Sequence, residues 1–283
     1  MKMIRRVGLL ASFLAVCFSE CAMAEDQTNI PVSAPIDTES AGRGGDIAVQ
    51  SVLRIICTQQ NSQGTGFFHK SGNVITADHV VRGCSNPELI LPNGTKILAS
   101  VLATDQELDL AVVKPDSVIS ATPLKISGAS NFSIGMQVST WGFPGGYGGV
   151  IPMLSVGYLS GVDARMSTSG KLIRKWVVNA AFNGGNSGGP LLQIETGEVI
   201  GVVSSKLAPI SAQTLSILKI LETQKFGMQY SGTDNNGQTI SFSEAQLVAA
   251  VLDELRRQVQ LVIGEAVIAE DIRTFLKLHN IDP

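Results

Sequence analysis

The chain has 283 residues, 44% of them hydrophobic, with 21 Lys and Arg against 24 Asp and Glu and a formal net charge of −3. A slightly acidic balance supplies no basic surface for nucleic acid or an anionic membrane, so neither is expected as a partner. The three histidines, at 69, 79 and 279, form no Cys/His pair at ligand spacing, and no metal site is expected.

Met1 to Ala24 opens with Lys2, Arg5 and Arg6, continues through an apolar core from Val7 to Phe18, and ends in Ala22-Met23-Ala24. This is the pattern of a secretory signal peptide with a small-residue cleavage site, too short for a stable membrane span. A lipoprotein signal at Cys17 lacks the small residue that should precede the cysteine. Cleavage after Ala24 would remove three basic residues and Glu20, and would deliver a slightly more acidic chain to the periplasm or the exterior. Residues 25–46 are polar, with Pro31, Pro35, Gly42, Gly44 and Gly45 and no apolar period, and read as a disordered leader.

From Ala48 onward the chain becomes a series of short β-prone runs cut by turns. Strands are expected at 51–57, 64–69, 74–77, 88–91, 96–102 and 110–113, with a hairpin at Asn93-Gly94. Further strands are expected at 137–141, 152–159, 172–179, 191–194 and 199–204. So many strands without intervening helices argue against a parallel α/β sheet. Three motifs lie among them: Thr76-Ala-Asp-His-Val-Val81, Asp109-Leu-Ala-Val-Val-Lys114, and Gly184-Gly-Asn-Ser-Gly-Gly-Pro190. The last sets Ser187 between glycine pairs, a turn able to expose its hydroxyl and to aim the amides of Gly185 and Ser187 at one point. A Gly/Ser-rich surface loop is the plain alternative for that segment alone.

Taken together and in this order, the three motifs resemble those of the trypsin-like (chymotrypsin-fold) serine proteases, most closely the bacterial HtrA-like branch, over about residues 52–275. The resemblance implies an all-β fold of two antiparallel six-stranded barrels, with a cleft between them. It implies a catalytic Ser187, His79 as its base and Asp109 as the group that orients the base, acting on protein or peptide substrates by acyl transfer without metal or cofactor. Gly185 and Ser187 would supply the oxyanion hole, and Ser204 would support Asp109. Asp78, next to His79, is a competing orienter, but on an extended segment it would point the other way. His69 and His279 read as solvent-side or packing residues.

Loss of the signal peptide leaves Cys57 and Cys84, and in an oxidising compartment an even pair invites one disulfide. The resemblance puts Cys57 on an early strand and Cys84 just past His79; two unpaired buried thiols are the alternative. Asn186 stands where zymogen-activated relatives carry an aspartate, so trypsin-style activation is not expected. Ala181 falls where trypsin has its acidic floor; with Phe182, Val202 and Val203 it predicts a shallow apolar pocket for small or medium aliphatic residues.

The stretch 207–261 is longer than the corresponding family loop and reads as a helical insertion. It holds a helix at 211–223, a polar turn region at 230–239, and an amphipathic helix at 243–258 capped by Ser243, with Leu247, Val251 and Leu255 on one face. A last strand and a C-terminal helix from Glu270 follow, and the five residues after Leu278 leave no room for a PDZ domain. No trimerisation signature is visible, which leaves an oligomer open. An α/β-hydrolase would also use Gly185-x-Ser187-x-Gly189, but it needs a helix after the serine, which Gly-Gly-Pro opposes. A protease fold that binds without cutting is the alternative from another class.

Overall fold

The computed structural model describes residues 45–206, 212–225, 227–233, 238–258 and 263–283. The expected signal peptide and the leader up to residue 44 lie outside the described residues, as do the side chains of Lys206, Leu215 and Leu255.

The chain enters through a short helix, α1 (Gly45–Ser51), where the end of a disordered leader and the start of a strand were expected. Ala48 and Val49 bury against the core, which is what holds this segment helical. Strands β1 (Val52–Cys57), β2 (Ser62–Phe68), β3 (Val74–Thr76), β4 (Glu88–Ile90), β5 (Lys96–Asp105) and β6 (Leu110–Pro115) close a barrel in the order β1-β2-β3-β6-β5-β4. A four-residue helix, α2 (Asp78–Val81), interrupts it after β3. A second closed barrel joins β7 (Gln137–Gly142), β8 (Met153–Met166), β9 (Leu172–Asn179), β10 (Pro190–Gln193), β11 (Val199–Lys206) and β14 (Gly264–Ile268), in the order β10-β11-β14-β9-β8-β7. Every pairing within both barrels is antiparallel. The expected two-barrel, all-β architecture is present. The Asn93-Gly94 hairpin is present too: Gly94 takes φ 82° and the Asn93 side chain accepts the Thr95 amide at 3.0 Å.

Strands β3 and β6 read as continuous apolar runs because both of their faces are buried. Along β6, Leu110 and Val112 enter a core shared between the barrels, while Ala111 and Val113 enter the first barrel's own core. The shared core also takes Val52, Phe67 and Ile75 from the first barrel, and Trp141, Phe143, Val202 and Val267 from the second. It is closed by the last helix, α5 (Ala269–Leu278), through Ile272, Phe275 and Leu276. This packing places the loops of the two barrels side by side.

Strand β8 runs seven residues past its expected end at Leu159. Its far half, Ser160 to Met166, is half-buried or exposed, so no apolar run announces it. The described residues between 212 and 258 form a compact unit of their own. It comprises α3 (Ala212–Thr223), β12 (Gln229–Thr233), β13 (Thr239–Ser243) and α4 (Glu244–Gln258). The stretch 230–239, read as a turn region, is in part strand: its two ends belong to a hairpin of β12 with β13. Ser243 caps α4 as expected, in a reciprocal pair: its hydroxyl accepts the Gln246 amide at 3.2 Å and its own amide donates to Gln246 Oε1 at 3.0 Å. The face of α4 differs from expectation. Ala249 is the buried position, whereas Val251 is 51% exposed. Among the described residues, no helix is long and apolar enough to cross a membrane.

Cys57, the last residue of β1, and Cys84, just beyond α2, form a disulfide with a Cα–Cα distance of 5.9 Å. It closes a loop across a sequence separation of 27 residues that contains His79. Reduction, or a Cys57→Ser/Cys84→Ser pair, should lower unfolding free energy by about 3–4 kcal/mol, read from urea unfolding with and without reductant.

Candidate active site

Each of the three motifs sets its functional residue in a short connection rather than inside a strand. Strand β3 delivers the chain to α2, where Asp78 pairs with Arg82 one turn later, with Arg82 Nε donating to Asp78 Oδ2 at 2.7 Å. Asp78 is buried and occupied by that partner, which removes it as the group orienting His79. The imidazole of His79 is left outward, 42% exposed.

Asp109 sits at the tip of the β5–β6 turn in a left-handed conformation, φ 63°. Asp105 builds that turn by accepting the amides of Glu107 and Leu108 at 3.0 and 2.9 Å. The Asp109 carboxylate reaches across to His79. It accepts the His79 backbone amide at 3.0 Å and lies 2.9 Å from Nδ1 through both oxygens. A carboxylate only accepts, so Nδ1 carries the hydrogen and Nε2 is left as the free acceptor. Ser204, on β11, donates its hydroxyl to Asp109 Oδ2 at 2.6 Å. Burial pushes the Asp109 carboxyl upward. The hydrogen bond and charge of His79, the Ser204 hydroxyl and the His79 amide outweigh it and hold the group below its ordinary value.

Ser187 lies in the β9–β10 connection, half-buried. The loop meets the His79 side of the first barrel at Gly64, where a Cβ would collide with Val80 and touch the Ser187 carbonyl at 3.0 Å. Thr65, which the sequence reading passed over, is the main fastening. Its amide donates to the Ser187 carbonyl at 2.8 Å, and its hydroxyl donates to the Gly185 carbonyl at 2.6 Å and accepts the Phe143 amide at 3.1 Å. The one available signal was its place between two glycines in Gly64-Thr65-Gly66, the spelling of a strand approached closely by other backbone.

The neighbouring peptides are fixed as well. The Gly184 carbonyl accepts from Gly145 N at 2.6 Å and the Asn186 carbonyl from Gly189 N at 2.9 Å. In a trans peptide the N–H points opposite to the carbonyl. The amides of Gly185 and Ser187 are therefore turned away from these contacts, and among the described residues neither has a hydrogen-bond partner. Gly185 and Gly188 adopt φ 97° and 85°, which accounts for the glycines of the motif. No hydrogen bond joins the Ser187 hydroxyl to His79 among the described residues. The structure thus links His79, Asp109 and Ser204 directly, and holds Ser187 on the adjoining loop.

The expected specificity pocket is corrected in part. Val202 and Val203 are consecutive on β11 and face opposite ways: Val202 enters the inter-barrel core, while Val203 joins Phe182 in the second barrel's core. The period of two in a strand prevents both from lining one pocket, so Val202 drops out. Ala181 is half-buried, and its carbonyl accepts Asn186 Nδ2 at 3.4 Å. Phe182 fills the space beside Gly264, where a Cβ would strike its ring. His69 is buried with Nδ1 against Ser71, and His279 packs edge-on to Phe275 at 4.8 Å.

Two closed antiparallel barrels with a His–Asp pair from the first and a glycine-bounded serine from the second define a chymotrypsin-like architecture. Residues 64–202 match the family model of the trypsin-like peptidase domain, and the chain is similar to HtrA- and DegP-like proteases. Over 149 residues it is 34% identical to a Rhizobium meliloti protein named "Probable periplasmic serine endoprotease DegP-like", covering 52% of this chain and 29% of that protein. Over 168 residues it is 32% identical to the serine protease Do-like HtrA of Lactococcus lactis, covering 56% of this chain and 41% of that one. The chain thus spans well under half the length of these curated relatives. The solved Rv3671c protease of M. tuberculosis shares the fold, with a TM-score of 0.58 at 18% identity, over 88% of this chain and 98% of that one.

Proposed function

We propose that the protein is a serine endopeptidase of the periplasm or the exterior that hydrolyses protein substrates through an acyl-enzyme. Ser187 attacks the scissile carbonyl, and His79 takes its proton at Nε2 and returns it to the leaving amine. Asp109 holds the imidazole tautomer, and the amides of Gly185 and Ser187 receive the oxyanion. The observation that carries this reading is the hydrogen-bonded run His79–Asp109–Ser204 beside a loop whose two amides are left unclaimed next to a serine. Its DegP-like relative supports the compartment, together with the signal-like N-terminal sequence. Ala181, backed by Phe182 and Val203, supports cleavage after small or medium aliphatic residues.

A second reading is a latent protease-fold protein that binds substrates without cutting them. The absence of a hydrogen bond from Ser187 to His79 favours it, although such contacts often close only when substrate is bound. Casein digestion by the protein from residue 25 onward separates the two. The peptidase reading expects fragments that disappear in Ser187→Ala, with cuts after Ala, Val or similar residues; a folded protein that leaves casein intact supports the latent one.

A further inference from the structure

Behind Asp109 the hydrogen-bonded run continues into the second barrel. Lys175, on β9, is 8% exposed, and its ammonium donates to Ser204 Oγ at 2.8 Å. Ser204 in turn donates to Asp109 Oδ2 at 2.6 Å. Glu265, on β14 and also buried, lies 3.6 Å from the Lys175 ammonium and accepts from Arg165, on β8, at 2.7 Å. A buried lysine is costly unless paired, and here its charge is balanced by Glu265.

Hydrogen-bond chemistry dictates what this lysine does. A hydroxyl has one hydrogen and can turn it either way, so a serine beside a carboxylate can equally point elsewhere. An ammonium has donors and no acceptor. Once Lys175 occupies one side of Ser204 Oγ, that oxygen must accept there, and its single hydrogen is left to point at Asp109. We propose that Lys175 is a positioning residue for the triad, which locks the Ser204 hydroxyl as a donor to Asp109 and adds a fixed positive charge two hydrogen bonds from the carboxylate. This rests on the peptidase reading above.

The consequences concern rate and pH rather than substrate binding. Without the lysine the Ser204 hydrogen is free to leave Asp109, and the carboxylate becomes a stronger acceptor for His79. The nearby positive charge is also lost. Both changes favour the imidazolium, so the acidic limb of the kcat/KM profile should move to higher pH. The charged groups that face Lys175 are Glu265 with its partner Arg165, and, through Ser204, Asp109 with His79. Arg165 also lies 3.5 Å from Asp163.

The test is Lys175→Met, measured with a peptide ester across pH 5–9 beside wild type, Ser204→Ala and the Lys175→Met/Ser204→Ala pair. Glu265 keeps Arg165 in the variant, so no buried carboxylate is stranded. The expected result is a loss of about tenfold in kcat with KM changed less than about twofold, together with the shifted limb, the size of one hydrogen bond to a charged group. In the Ser204→Ala background, Lys175→Met should lower kcat much less than it does with Ser204 present, because only the loss of the nearby charge is left. Lys175→Arg, another pure donor, should restore most of the rate, and Lys175→Gln, an amide able to accept as well as donate, should fall between. Should Lys175→Met fail to fold, the Arg and Gln variants carry the comparison. An unmoved limb with unchanged kcat, or a full effect of Lys175→Met without Ser204, overturns the proposal. Wild type inactive toward the ester would instead overturn the peptidase reading on which it rests.

Discussion

Asp109→Asn should lower kcat about ten-thousandfold while leaving KM nearly unchanged. The reason is the count of donors around this side chain. The carboxylate takes the His79 amide on Oδ1, the Ser204 hydroxyl on Oδ2, and the His79 ring nitrogen at 2.9 Å from both. An asparagine has one oxygen, which the backbone amide of His79 claims, so its NH2 faces Ser204 and the imidazole. The ring then meets a donor and is pushed to the tautomer protonated on Nε2, which cannot accept the serine proton. Ester hydrolysis with a parallel thermal melt measures this.

The same residue sets a pH dependence of stability. Because its folded-state pKa is lowered, Asp109 contributes stability that is fully present above its unfolded pKa of about 3.9 and is lost as pH falls through the folded value. The gap in stability between wild type and Asp109→Asn should therefore narrow below about pH 4. A constant gap across that range would show that the carboxylate is not held ionised by His79 and Ser204.

Gly185→Ala should cost about a hundredfold to a thousandfold in kcat, the scale of one lost oxyanion donor. At φ 97° an alanine is strained, and its Cβ would be driven into the Phe143 carbonyl, closer than real Cβ atoms come. Relief requires turning one of the two flanking peptides, whose carbonyls are held by Gly145 and Thr65. Either the amide leaves the oxyanion position or the loop leaves its fastenings. Gly184→Ala, on the exposed neighbour with no atom near its Cβ, is the control and should retain activity within about twofold. Equal losses in both variants would place the oxyanion site elsewhere.

The parts of the site that were legible in sequence are those where one residue type is chemically obligatory. His79, Asp109 and Ser187 each follow or precede an apolar run that became a barrel strand, so spelling and topology agreed. The disulfide followed from cysteine number and compartment, and the Ser243 cap from a serine at the head of an amphipathic run. What escaped were partners whose residue type is common. Thr65 looks like any strand threonine, and Lys175 like a surface lysine, until the barrel closes and β9, β11 and β14 bring it to Ser204 and Glu265. Val202 was misplaced because a run of apolar residues does not say which face each takes, and here both faces are buried. The helix α1 was missed because its two buried residues are too few to show a period.

The measurement that bears most directly on the central claim is labelling of the intact, folded protein with an alkyl fluorophosphonate, followed by peptide mass spectrometry. This reagent phosphonylates only a serine activated by its base, with release of fluoride. The account predicts a single adduct on Ser187, absent from Ser187→Ala and strongly slowed in His79→Ala. A folded wild-type protein that takes up no label, or takes it at another serine, would contradict it.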